Sequence, residues 1–119
     1  LKKEKKPILL LGDFNIAHTE LDLARPKENK NSTMFTPEER ARLDALLGLG
    51  YVDTFRARHA GEPHHYSWWP YWASARARNL GWRIDYCFAS KSLSPRVKDA
   101  FILPDVWGWD HCPVGITLG

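Results

Sequence analysis

Apolar positions along the chain fall into short runs divided by polar stretches, and their spacing predicts the elements. Ile8, Leu9, Leu10 and Leu11 form a run that stops at Gly12-Asp13, the pattern of a buried strand that delivers polar residues at its carboxyl end. Residues 17 to 35 are polar, rich in Lys, Asn, Ser and Thr. They read as a long loop, which in a compact domain is usually functional or disordered. Thr36-Pro37-Glu38-Glu39 combines an N-cap, a first-turn proline and a capping-box glutamate, and Leu43, Leu46 and Leu47 follow at helical spacing until Gly48 and Gly50. A helix is predicted there. Strands are predicted over 51–55, 66–69, 82–89, 100–103 and 114–118, with a shorter helix over 92–99. Because strands meet by hairpin-like turns as well as through helices, the expected fold is α+β, of the α/β sandwich type: one mixed, largely antiparallel sheet with helices on one face.

Composition narrows the class. With 119 residues, 44% hydrophobic and 26% charged, the chain has the makeup of one soluble domain, and no repeat or linker marks an internal boundary. A domain of this size buries only about two-thirds of the surface its unfolded chain exposes, so the absence of a few strands would leave it marginal. The longest apolar run is too short to span a bilayer, and Lys2 to Lys6 followed by four apolar residues is no signal peptide. A cytoplasmic protein without membrane contact is expected. Cys87 and Cys112 lack the second pair of a zinc ribbon and read as small buried hydrophobes. The net charge of +3 owes part of its value to the Lys-rich run at 2–6, read as a strand lead-in rather than a DNA grip, so bulk charge does not identify a partner. Six tryptophans, four of them at 68, 69, 72 and 82, exceed what a core of this size usually needs.

Three polar clusters sit at the edges of predicted strands: Gly12-Asp13-Phe14-Asn15, Arg83-Ile84-Asp85 and Asp110-His111. Loops after rigid strands are where catalytic groups are commonly placed. Each also has a plain structural reading, an Asx-turn for Asp13 and Asn15 and a surface turn for Asp110-His111. Asp85 is more telling. Alternation puts Trp82, Ile84, Tyr86 and Phe88 on one face of its strand and Arg83, Asp85, Cys87 and Ala89 on the other. A carboxylate within an apolar strand needs a partner, either Arg83 beside it or a histidine, for which His111 is the natural candidate. A carboxylate behind an imidazole fixes its tautomer and favours the protonated form, which can bind a phosphate oxygen. His18, His59, His64 and His65 lie in polar stretches without metal-ligand spacing and are assigned no catalytic role. Asp13, Asn15 and Asp110 supply the hard donors that suit magnesium, and the combination points to metal-assisted phosphodiester hydrolysis.

Gly-Asp-Phe-Asn at 12–15, Asn-Leu-Gly-Trp-Arg-Ile-Asp-Tyr at 79–86 and Asp-His-Cys-Pro at 110–113 together resemble, in order and spacing, the three carboxy-terminal motifs of the exonuclease III and abasic-site (AP) endonuclease family. The resemblance implies Mg2+-dependent (or Mn2+-dependent) hydrolysis of double-stranded DNA at abasic sites or 3′ ends, in base excision repair. Asp13 would orient or deprotonate the attacking water, Asn15 would hydrogen-bond the phosphate, Asp85 would orient His111 against the scissile phosphate, and Asp110 would join Asp13 and Asn15 around the metal. It also implies DNA contacts from Asn29, Trp68, Trp72 and Trp82, while Trp69 is read as core. Arg76, Arg78 and Arg83, interleaved with aromatics, suit phosphate contacts beside stacking surfaces, and Arg83 is equally suited to a structural role.

The chain departs from the family pattern where Met34 replaces a usual glycine and Trp109 a usual serine. By the resemblance, residues 1–119 are the carboxy-terminal half of the nuclease domain, half of a four-layer sandwich. The resemblance further implies an amino-terminal half that would supply a metal-binding glutamate. The chain is then expected to work with that half, or to pair with a second copy, and to be weak or inactive alone. The alternatives are a non-catalytic DNA-binding or assembly fragment, or another phosphodiesterase or phosphatase of the same superfamily.

Overall fold

The computed structural model describes residues 6–119, so all but the last residue of the lysine-rich lead-in at 2–6 lies outside the described residues. Strand β1 (Leu9–Asp13) runs antiparallel to β3 (Asp85–Ala89), with Leu9 opposite Ala89, Leu11 opposite Cys87 and Asp13 opposite Asp85. Strand β2 (Val52–Asp53) pairs with the far end of β3, and β4 (Val97–Ile102) pairs with β5 (Val114–Leu118) in a separate antiparallel ribbon. The fold is α+β and its strands are antiparallel, but they divide into a three-stranded and a two-stranded sheet. One edge of β3 is taken along its length by β1 and the end of the other by β2, and β5 lies beside β3 without joining its ladder.

Helix α1 (Pro37–Gly48) forms where the capping box predicts it. The Thr36 side chain accepts from the Glu39 amide while Glu39 reaches back to the Thr36 amide. Its Leu43 packs with Tyr51, Tyr86 and Phe88 in the principal core, and Phe14 sits edge-on to both Tyr86 and Phe88. Tyr86 and Phe88 thus point to the helix side while Asp85, Cys87 and Ala89 take the opposite face, the alternation anticipated from sequence.

Four expected elements differ. The strand over 51–55 is cut to two residues because Asp53 turns its carboxylate onto the Arg56 amide and caps a short helix, α2 (Thr54–Arg58). The helix over 92–99 is instead a single 3-10 turn at Ser94–Arg96 leading into β4. Pro95 is accommodated in that turn, and β-branched Val97 starts the strand opposite Leu118. The strand over 66–69 is reduced to bridges at Trp68, one to Trp82 and one to His111. The strand over 82–89 begins only at Asp85, since the amides of Ile84 and Asp85 both donate to the buried hydroxyl of Ser67.

Candidate active site

Residues from three chain segments meet at the end of β1 and the start of β3. Asp13 is the last residue of β1 and faces Asp85 across the ladder. The chain turns sharply after it, with the Asn15 amide donating to Asp13 Oδ1 at 2.8 Å and Asn15 in the left-handed region (φ 53°). This is the Asx-turn the residue types allow, and it leaves the Asn15 side chain exposed. His111 Nδ1 lies 2.8 Å from Asp85 Oδ2, and His111 Nε2 lies 3.7 Å from Asp13 Oδ2. Asp85 therefore has the histidine partner, not Arg83. An ionised carboxylate can only accept, so Nδ1 carries the proton and Nε2 faces Asp13 and the open side. Burial pushes the Asp85 carboxyl above its ordinary range, with the bonds from His111 and Ser67 pulling the other way.

The third segment is positioned by backbone pairing. The amides of Ser67 and Trp68 donate to the Trp82 carbonyl, Trp82 returns a bond to Trp68, and the Cys112 amide donates to Ser67 at 2.8 Å. These bonds bring the 110–113 turn against β3. Asp110 is exposed, and its Oδ2 accepts from Trp68 Nε1 at 3.1 Å, leaving the other oxygen outside that bond. Asp13, Asp85 and His111 place ligand-type atoms within 4.8 Å of one another; Asp110 is adjacent in sequence to that group but not within it.

Beside this group lies an open cavity of about 410 Å³ whose lining includes Asn29, Trp68, Trp72 and Trp82, with Met34 and Arg78. Asn29 is held in its loop by a bond from its side-chain amide to the Arg25 carbonyl at 3.0 Å. Met34 stands at φ 77°, in the left-handed region where a glycine would meet no steric penalty, so the glycine that the family resemblance leads one to expect there would suit this backbone. Arg76 is not among the lining residues. Its guanidinium donates to the carbonyls of Pro104, Val106 and Trp109 and lies 3.9 Å from the Trp107 ring centre, so it braces the 104–109 loop. Trp69 is buried, with its Nε1 on Asn79 Oδ1 at 3.0 Å. Both cysteines are buried free thiols whose pKa is pushed up to about 11, chiefly by burial.

Arg83 is 1% exposed and takes no part in the open site. Its Nε donates to Asp22 at 2.8 Å and its two terminal nitrogens to Asp53 at 3.0 and 2.6 Å. Asp22 also accepts from Arg56 at 2.5 Å. Two residues of this framework escaped the sequence reading. Ser67 carries no motif signal beyond its place in the Tyr66-to-Trp69 stretch, and Asp22 lies within a polar loop whose acidic residues look interchangeable.

Residues 1–106 match the Endonuclease/Exonuclease/phosphatase family. The chain is 48% identical over 115 residues to an exodeoxyribonuclease of Bacillus subtilis, covering 97% of this chain and 46% of that protein. It is 42% identical to the DNA repair nuclease APEX1 of Danio rerio, covering 96% of this chain and 37% of the relative. Among solved structures it superposes on an AP endonuclease from Archaeoglobus fulgidus with a TM-score of 0.88 at 28% identity, over 96% of this chain and 46% of that one. A 3′ phosphatase, NExo, from Neisseria bound to a product DNA hairpin gives a TM-score of 0.87 at 29% identity, over 95% and 45% of the two chains. The chain thus spans less than half the length of each of these relatives.

Proposed function

The chain belongs to the endonuclease/exonuclease/phosphatase family, and from that premise we propose that it is the carboxy-terminal half of an exonuclease III-like, magnesium-dependent DNA-repair phosphodiesterase. Its substrate is duplex DNA carrying abasic sites or 3′ ends, and its place the cytoplasm. The observation that carries this reading is Trp68. It bridges to His111, bonds Asp110 and lines the cavity with Asn29, Trp72 and Trp82, so one residue joins the acid–imidazole group to an aromatic surface suited to an unstacked sugar or base.

The chemistry follows from the side chains. Asp13 orients the attacking water and takes its proton as the water oxygen bonds phosphorus and the phosphorus–oxygen bond to the leaving sugar breaks in line. Asn15, turned outward by its left-handed backbone, offers its amide to a phosphate oxygen. Asp85 holds the His111 ring through Nδ1–H, so that the doubly protonated ring presents its Nε2–H to the charge developing on the phosphoryl oxygens. The donor set fits magnesium: Asp13 and Asp110 are exposed carboxylates and Asn15 an exposed amide, all hard oxygen donors. When bound there, the ion would supply positive charge to the phosphoryl and leaving oxygens.

Half-length relative to its relatives, the chain is expected to be weak alone and to act with an amino-terminal half or a second copy. The test is cleavage of an abasic-site duplex in magnesium, with blunt duplex and phosphoinositide as rival substrates, by the chain alone and joined to an amino-terminal half. Restored cleavage of the abasic duplex that falls by about 100-fold or more in Asp13→Asn or His111→Asn supports the reading. Preference for phosphoinositide, or turnover indifferent to both substitutions, refutes it.

A further inference from the structure

The loop after α2 carries three side chains to one point. His59 ends the helix and stacks on Phe55, with ring centres 4.2 Å apart, and His65 meets the same ring edge-on at 5.2 Å. The chain between them reverses through Gly61 (φ 75°). Glu62 stands between the two imidazoles, its Oε1 3.2 Å from His59 Nδ1 and 3.0 Å from His65 Nε2. All three groups place ligand atoms within 4.8 Å of one another. Along the chain these residues show no metal-binding spacing; the turn creates the grouping.

Two further contacts define which atoms are free. His59 Nε2 lies 3.4 Å from the Ala100 carbonyl of β4. Both ring nitrogens of His59 face acceptors, Nε2 the Ala100 carbonyl and Nδ1 the Glu62 carboxylate, so a cation seated against Glu62 would take the place of the Nδ1 proton while Nε2–H stays on the carbonyl. A histidine bound to a metal through one nitrogen commonly donates its other N–H to a backbone carbonyl. Arg56 Nη1 donates to the carbonyls of both His59 and Glu62, at 2.9 and 2.8 Å, and so fixes the loop that carries the ligands. Tetrahedral zinc at ~2.0–2.1 Å from each nitrogen or oxygen sets its ligand atoms roughly 3.3 Å apart, close to the two separations seen here.

We propose that His59, Glu62 and His65 form a second metal site, binding a borderline divalent cation of the zinc class through His59 Nδ1, a Glu62 oxygen and His65 Nε2, with water in the fourth position. Two imidazoles and one carboxylate select zinc-like ions over magnesium, which prefers oxygen alone. The Glu62 carboxyl is held below its ordinary range by the bonds to His65 and His59, which keeps it ionised as a ligand. The site clamps the end of α2 to the segment that enters Ser67, the residue that holds the Asp85 amide. It is separate from the Asp13 group in every ligand and does not depend on the proposed nuclease reaction.

Zinc sulfate titrated into the chain in excess magnesium, followed by calorimetry and by the ring-nitrogen resonances of the histidines, tests this. One saturating equivalent is expected, with the His59 Nδ1 and His65 Nε2 signals moving and His59 Nε2 remaining protonated. His65→Ala and Glu62→Ala should each weaken binding by about 10- to 100-fold, while Asp13→Asn leaves it unchanged. Failure to saturate at millimolar zinc overturns the proposal, as does binding that is lost in Asp13→Asn and kept in His65→Ala.

Discussion

Replacing Asp22 by alanine tests whether the buried ion network holds this fold together. Asp22 is 0% exposed and accepts from Arg83 Nε at 2.8 Å, Arg56 Nη2 at 2.5 Å and the Thr19 amide at 3.0 Å. Its loss leaves Arg83, almost wholly buried, with Asp53 as its single counter-charge. Hydrogen bonds to charged groups contribute ~1.5–3 kcal/mol each, and breaking a buried pair by removing one partner costs ~3–5 kcal/mol. The expected loss for Asp22→Ala is therefore about 4 kcal/mol, a large part of the ~5–15 kcal/mol typical of a domain. Asp22→Asn, which keeps an acceptor but not the charge, should lose roughly half as much. Burial opposes ionisation of Asp22, but Arg83 and Arg56 outweigh it and hold its carboxyl below the ordinary value. A depressed carboxyl contributes stability that is full above its unfolded pKa of about 3.9 and is lost as pH falls through the folded value. The gap between the native chain and Asp22→Asn should therefore be largest near neutrality and close on acidification below about pH 4. Urea unfolding followed by tryptophan fluorescence reads both effects. A loss under ~1 kcal/mol for Asp22→Ala, or a gap that widens in acid, would show that Asp53 alone sustains Arg83 and that the reasoning is wrong.

Two other substitutions probe how the site is positioned. Ser67→Ala orphans the Ile84 and Asp85 amides that its hydroxyl receives at 3.0 and 3.1 Å. At ~1–3 kcal/mol per unsatisfied buried group, urea unfolding should register a loss of about 2–4 kcal/mol and amide exchange at Asp85 should accelerate; unchanged exchange would contradict the role given to Ser67. Gly81→Ala places a methyl 2.5 Å from the Trp69 ring and 2.8 Å from the Trp68 carbonyl. Because backbone as well as ring must shift, a loss of ~1–3 kcal/mol is expected, with displaced Trp68 and Trp82 side-chain resonances; a variant as stable as the parent would mean the strip yields more easily than its packing implies.

The parts of the fold legible from sequence are those whose signal is local. The α1 capping box, the β1 run ending at Asp13 and the alternation of Asp85 against Tyr86 and Phe88 are each decided within a few residues. Where partners are distant, local reading fails. Asp53 looks like a strand residue until its carboxylate is seen capping α2 while also holding Arg83, thirty positions away. The aromatic stretch at 66–69 has strong strand propensity, yet Trp68 finds one-residue bridges on two sides instead of a ladder. Arg76 shows the same limit. Its interleaving with tryptophans suits phosphate contact, but its two terminal nitrogens donate to three carbonyls of the 104–109 loop. Interleaving reports composition; only the fold reports which donors remain.

The same alternation that places Asp85 also says where further protein would bear on the site. Register puts Leu9, Leu11 and Asp13 of β1 on the face shared with Ala89, Cys87 and Asp85 of β3. Cys87 and Ala89 are buried, but Leu9 and Leu11 are 37% and 59% exposed. An apolar edge left open on the face that carries Asp13 is costly in isolation, at roughly 25 cal/mol for each Å2 that could be covered. A covering layer would therefore be driven onto β1 by burial and would border Asp13 and His111. Under the proposed function, stability and catalysis would then be coupled through one strand: an amino-terminal half or a second copy that covered Leu9 and Leu11 would also wall the open side of the Asp13–His111 pair. Light scattering separates the two occupants, since a clean monomer at micromolar concentration leaves only the first. In either case a polar substitution at Leu11 should weaken that covering contact and lower restored cleavage, although Leu11 itself carries no chemistry.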